Sequence, residues 1–151
     1  MDTATSPATA TGSASTHEIL GMTHQYQVTP AESDGRYLAF VMHVPPGCGS
    51  PMHRHEIDSE FFHVLEGELT IVQPSGQRAA AAGSSVFLPA GGAHAFHTAG
   101  TEPARVQVIA SPGIEAERFF AEIDAATRST GVDLAVVSAA AHRHRLTILA
   151  A

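Results

Sequence analysis

The sequence contains no lysine and no asparagine, and it has a single cysteine. Without lysine, Schiff-base chemistry and the lysine of a phosphate-binding loop are both excluded. One cysteine can form neither an internal disulfide nor a cysteine zinc cluster, which agrees with a reducing compartment. No apolar run reaches the ~18 residues of a membrane-spanning helix. The N-terminus, Met1 and Asp2 followed by Thr, Ala and Ser, lacks the basic and apolar regions of a secretion signal. A cytoplasmic protein without a membrane partner is the expectation. Eight arginines stand against 15 acidic residues, for a formal net charge of −7, and no basic run is long enough to follow a phosphate backbone. Nucleic acid is therefore not an expected partner. The chemistry left to the chain is that of carboxylates, histidines, or a metal bound by them.

A length of 151 residues supports one domain with a hydrophobic core. Residues 1–16, MDTATSPATATGSAST, have no large apolar residue after Met1 and read as a disordered tail. Beyond them, THQYQV alternates enough for a short strand, Ser33 to Gly35 is a turn signal, and RYLAFVMHV is a strong strand ended by Pro45 and Pro46. ELTIVQ, SVFLP, HAFHT and ARVQVIAS read as further strands, each bounded by Gly, Pro or a polar turn. The alanines of QRAAAA favour helix, but the hairpin context between Gly67 and Gly83 overrides them. Short strands at intervals of about ten residues indicate an all-β, antiparallel double-sheet jelly-roll barrel over residues 17–112, with a small cavity between its sheets. From Pro112 the period changes. Ile114, Phe119, Phe120 and Ile123 make an approximate helical face with Gly131 as a stop, residues 133–144 read as a second helix, and LTIL as extended chain. Residues 113–151 are thus expected as C-terminal helices packed outside the barrel.

The most informative stretch is GCGSPMHRHEIDSEFFHVLEG, Gly47 to Gly67. If His53 and His55 lie in a strand, their alternation with Arg54 puts both imidazoles on one face. Glu60 follows a short polar turn, so the next strand can return its carboxylate to the two rings. A mixed nitrogen and oxygen set suits a first-row metal and is too nitrogen-rich for magnesium or calcium. A further ligand should come from another strand, and GSSVFLPAGGAHAFHT offers His94, which shares a face with Phe96 and Thr98.

Together the two stretches resemble the paired motifs of the cupin superfamily. Gly47, His53, His55, Glu60 and Gly67 fit the first motif position for position, and Gly83, Pro89, Gly91 and His94 fit the second. Thr98 stands where the family usually has asparagine. The resemblance covers roughly residues 36–111 and implies that His53, His55, Glu60 and His94 hold one divalent transition metal ion: iron, manganese, nickel, copper or zinc. With three histidines, one glutamate and a trailing helix, the chain is similar to the quercetin-dioxygenase-like group. That likeness implies a dioxygenase acting, with dioxygen, on a small enolisable or phenolic substrate that chelates the metal. Glu60 is then both ligand and catalytic base. A redox-neutral cyclase or isomerase uses the same four ligands, and a non-catalytic binding module is a third possibility that a fused DNA-binding domain would signal.

Strand register points Phe62, Val64 and Phe96 inward beside the metal, and Met42, Met52 and Thr98 complete the expected substrate pocket. Only Arg54 is near enough in sequence to offer a cation, which disfavours sugar phosphates. His63 and His97 fall one residue out of the inward register and are expected in packing or at an interface. The face of His43 is open, and His17 and His24 are expected at the surface. His142 and His144 are two residues apart on a helix and cannot share an ion, so they read as its solvated basic end. Cys48 reads as a structural thiol. Glu56 follows His55 directly and points away from it; with Asp58 it reads as a solvated acidic turn. An apolar outer face near Phe61 and His63 suggests a homodimer.

Overall fold

The structure is a computed structural model that describes residues 7, 8 and 15–149. The expected disordered tail therefore lies outside the described residues, apart from Pro7, Ala8, Ser15 and Thr16. The chain runs β1 (Thr16–Ile19), β2 (Met22–Val28), β3 (Leu38–Val44), β4 (His53–His55), β5 (Ser59–Glu66), β6 (Glu68–Gln73), β7 (Gly76–Ala81), β8 (Ser85–Leu88), β9 (Ala95–Thr98) and β10 (Ala104–Ser111). It ends in α1 (Ile114–Thr130), α2 (Leu134–Arg143) and β11 (Leu146–Ile148).

One antiparallel sheet has six strands in the order β1-β2-β3-β10-β5-β8, and facing it are the β7-β6-β9 and β11-β4 ladders. Bridges Gly49–His97 and His53–His94 join those two ladders, so β9 and β4 continue one surface. Strict alternation builds the core between the layers: Ala104, Val106, Val108 and Ala110 of β10 and Glu60, Phe62 and Val64 of β5 point inward, while Phe61 and Leu65 point out. The architecture is the expected all-β double sheet with C-terminal helices, but the sheets do not close into a barrel. The β1 side is covered by α1 instead of by another strand.

Three features add to the expectations or depart from them. THQYQV is a strand as expected, the body of β2, but it forms a hairpin with β1, which was not expected; their two-residue loop has positive φ at both Leu20 (53°) and Gly21 (83°). That is the geometry a type I′ turn needs, here carried by a leucine where asparagine or glycine is the usual signal. The LTIL segment is extended as expected, and it pairs with β4, setting Leu146 opposite His55 and Ile148 opposite His53. Asp58 is not solvated. It is buried, at 2% exposure, and its carboxylate accepts hydrogen bonds from Gly113 N (2.8 Å) and Ala116 N (3.1 Å).

Asp58 thus caps α1 from 55 residues away in sequence. The helix start has no cap of its own because Gly113 occupies the N-cap position with φ 80°. A side chain there would press on Leu38 and on the Ala110 carbonyl, so glycine is required and the capping oxygen must come from elsewhere. Replacing Asp58 by alanine strands two buried amides, and we expect a loss of about 3 kcal/mol by urea denaturation. Asp58→Asn, which keeps one acceptor, should recover part of it.

Candidate metal centre

His53 and His94 form a hydrogen-bonded antiparallel pair. His53 N donates to His94 O (2.9 Å) and His94 N to His53 O (2.8 Å). Residues directly opposite in such a pair project from the same face, and the two rings lie 4.4 Å apart between centroids. Strand β4 is held on its other edge by β11. The approach of the preceding loop to β9 depends on Gly49, where a Cβ would collide with the Phe96 carbonyl. His55 alternates back to the face of His53, and β5 brings in Glu60 from the opposite sheet.

Ring nitrogens of the three histidines and a carboxylate oxygen of Glu60 all lie within 4.8 Å of one another, and all four residues are buried. Glu60 Oε1 is 3.5 Å from His55 Nε2, and Glu60 Oε2 is 3.2 Å from His94 Nε2. Donors that sit side by side at about 2.1 Å from a common ion are about 3 Å apart, so these separations fit one first-row metal. Two of the rings are also oriented from behind. Nδ1 of His53 lies 2.9 Å from Pro51 O and Nδ1 of His94 lies 3.3 Å from Gly92 O. Donation from Nδ1 to those carbonyls leaves the Nε2 lone pairs facing the centre, the arrangement that accompanies metal-binding imidazoles.

The charges agree. Burial, reinforced by His55 and His94, holds His53 near a pKa of about 3, so its imidazole is neutral. Burial alone would raise the Glu60 carboxyl, but His55 first, then His94 and His53, outweigh it and bring Glu60 to about 2. An ionised carboxylate among imidazoles is a donor set complementary to a divalent cation.

Beside these residues lies a cavity of about 50 Å³. Its wall is apolar and includes Met42, Phe62 and Phe96 from the sheets, Phe119 and Phe120 from α1, and Val137 from α2. The C-terminal helices, expected to pack outside, therefore complete the cavity. Of the other residues expected in the pocket, Val64 is buried in the core but does not line this cavity, and neither do Met52 and Thr98. The Thr98 hydroxyl donates to Pro45 O (2.8 Å) and accepts from Gly47 N (2.9 Å), pinning the loop that leads to β4.

The remaining histidines separate clearly. His43 is half-buried and lies off this cavity, beside Glu66, Arg105 and the Pro45–Pro46 turn. His63 pairs with the Ser85 hydroxyl through Nδ1 (2.8 Å) on the outer side of β5, and His97 lies in the bridge to Gly49. His17 contacts Asp124 (3.1 Å). His144 is not simply solvated, since its Nε2 is 2.6 Å from Glu122 Oε2, whereas His142 is exposed. The main surprise is His24, expected at the surface yet 3% exposed and lining the metal-side cavity. Its ring stacks on Phe40 at 4.4 Å and meets the edge of Phe120 at 4.6 Å. The alternation of MTHQYQV does group His24 with Met22 and Tyr26, but nothing local says that this face is covered on both sides.

A double-sheet fold with three histidines and a glutamate converging between its layers is a jelly roll with a cluster that could hold a metal ion, and its family can be sought among known proteins. Residues 40–110 match the cupin domain family, and this match, with the cupin-fold neighbours that follow, supports the cupin superfamily for the chain. Among solved structures, a sugar phosphate isomerase of this superfamily from Silicibacter pomeroyi aligns at 25% identity and TM-score 0.53, over 60% of this chain and 59% of its own. The chain thus spans about three fifths of that protein. The polyketide cyclase from Streptomyces resistomycificus aligns at 23% identity and TM-score 0.60, over 72% of this chain and 80% of its own. A predicted oxalate decarboxylase from Thermotoga maritima aligns at 17% and 0.61, over 70% of this chain and 98% of its own. No curated protein sequence matches the chain. Among the described residues, no helix is long and apolar enough to cross a membrane.

Burial makes stability depend on pH. His24 and His53 titrate near 3 in the folded protein and near 6.5 when unfolded. Between those values the unfolded chain binds more protons, so stability is full above 6.5 and is lost as pH falls towards 3. For His24, burial is the main cause of the shift. Metal-free protein unfolded in urea at pH 7 and pH 5 should lose stability at the lower pH. The variant His24→Phe should lose roughly 2 kcal/mol less.

Proposed function

We propose that this protein is a metal-dependent enzyme acting on a small organic substrate that binds the metal through oxygen, and that its reaction is a dioxygenation of an enolisable or phenolic compound. The observation that carries the reading is the junction of a four-donor cluster with an apolar cavity. Four protein donors leave positions open on a six-coordinate ion. When bound, such an ion supplies Lewis acidity and, if redox-active, the means to use dioxygen.

The protein's own residues have separable tasks. His53, His55 and His94 present Nε2 donors, two of them oriented through Nδ1 by backbone carbonyls. Glu60 is ionised and sits between His55 and His94. Its carboxylate is placed to accept the proton of a substrate hydroxyl that enters from the cavity, with the second oxygen left to the metal. Met42, Phe62, Phe96 and Phe120 exclude water from that step.

Cavity size restricts the substrate. At about 50 Å³ it has room for roughly four water-sized groups, enough for a few heavy atoms or for the reacting end of a larger molecule. No arginine lines it, so a sugar phosphate would lack a cationic partner there. A redox-neutral isomerisation or cyclisation is the second reading, because the same donors serve it and one solved relative at 25% identity is an isomerase.

Two measurements on tag-free protein test the reading. Elemental analysis should find about one equivalent of iron, manganese, nickel or copper, and an oxygen electrode should register uptake with small β-diketones or catechols. Zinc alone, without oxygen uptake, selects the redox-neutral reading. Absence of any metal after reconstitution overturns both. Glu60→Gln should lower turnover by about 10²- to 10⁴-fold, more than it lowers metal content, and full activity in that variant removes its role as base.

We also propose a cytoplasmic homodimer formed through the outer face of the six-stranded sheet. Phe61 and Phe87 are direct cross-strand partners there, 37% and 64% exposed, and β8 is the sheet's edge strand. A second copy would cover both aromatic rings. Light scattering should give a dimer mass for the native protein and a monomer for Phe87→Asp.

A further inference from the structure

A buried polar side chain with no partner requires an explanation, because desolvation without a replacement hydrogen bond costs free energy. His24 is such a residue. Neither Nδ1 nor Nε2 has a hydrogen-bond partner, although the ring is almost fully buried. Phe40 stacks on the ring and Phe120 packs against it at right angles, so the ring is held in place by aromatic contacts and not by polar ones. It lines the same cavity as His53, His55 and Glu60. Ser50 is the remaining polar side chain in that lining, and its hydroxyl already accepts from Phe96 N (3.3 Å).

We propose that His24 is the second anchor for the substrate, hydrogen-bonding a polar group that lies away from the end bound at the metal centre. This rests on the metal-centre reading of the cavity and narrows its substrate class. The substrate is a small bifunctional molecule, with one oxygen donor for the metal and a hydroxyl or carbonyl a few atoms away. A neutral imidazole carries one N–H donor and one nitrogen acceptor, so it can serve either group. Apolar walls between the two anchors suit a short hydrocarbon link, and the cavity volume of about 50 Å³ keeps that link short. Discrimination follows from the same desolvation argument: an analogue without the distal polar group leaves His24 unsatisfied and should bind less well.

The test uses zinc-loaded protein and two series of acids of two to four carbons. Acetate, propanoate and butanoate offer only a carboxylate. Glycolate, 3-hydroxypropanoate and 4-hydroxybutanoate add a terminal hydroxyl at increasing reach. Calorimetry should show one hydroxy acid binding about tenfold more tightly than its unsubstituted counterpart. In His24→Phe, which keeps the aromatic contacts, that preference should vanish while the unsubstituted acids bind as before. Independently of any variant, the ring nitrogen resonances of His24 in ¹⁵N-histidine-labelled protein should shift with the preferred hydroxy acid and not with its counterpart. Zinc uptake without a hydroxyl preference at any length, or a preference that survives His24→Phe, overturns the role of His24 and leaves the metal centre standing. Failure to take up zinc, checked separately by elemental analysis, overturns the metal reading and this inference with it.

Discussion

The pair of backbone hydrogen bonds between His53 and His94 is the constraint on which the candidate site depends. It ties a three-residue strand, too short to be stable alone, to the sheet that carries β9. The same pair aligns two imidazoles on one face. Glu60 then arrives from the opposite layer on β5, so the centre exists only because the two sheets face each other at the distance their apolar side chains set. Three imidazoles and one carboxylate in a dry interior form an arrangement whose burial needs compensation, and a bound cation would supply it.

The C-terminal segment completes what the two motifs begin. Its helices contribute Phe119, Phe120 and Val137 to the cavity, and β11 clamps the outer edge of the strand bearing His53 and His55. Asp58 joins the two parts physically. It lies two residues before Glu60 and caps the helix that carries Phe120, so the metal strand and the cavity wall share one buried hydrogen-bonded link. His24 sits where these parts meet, with Phe40 of the sheet stacked on it and Phe120 of the helix packed against it at right angles.

Much of the fold was legible because its strands alternate cleanly. ELTIVQ and ARVQVIAS are β6 and β10 to the residue, and their inward positions follow from period two. The convergence of His53, His55 and Glu60 was legible from spacing, and the full set with His94 from the resemblance to the paired cupin motifs. The β1–β2 hairpin was not, because its tight turn has Leu20 at positive φ where asparagine or glycine is usual, leaving Gly21 alone as a signal. Asp58 was misread as solvated because its partners, the amides of Gly113 and Ala116, are remote in sequence.

By itself, then, the sequence determined the two-layer β architecture and the trailing helices, which rest on short-range periodicity, and the four converging donors, which rest on fixed spacing and the resemblance to the cupin motifs. Only the tertiary structure decided that the sheets stay open, that the helices wall the cavity, and that His24 is buried within it without a partner. Those outcomes depend on which element covers which face. A strand's alternation states that a side chain is on one side of the sheet, but long-range packing alone determines what stands there to meet it.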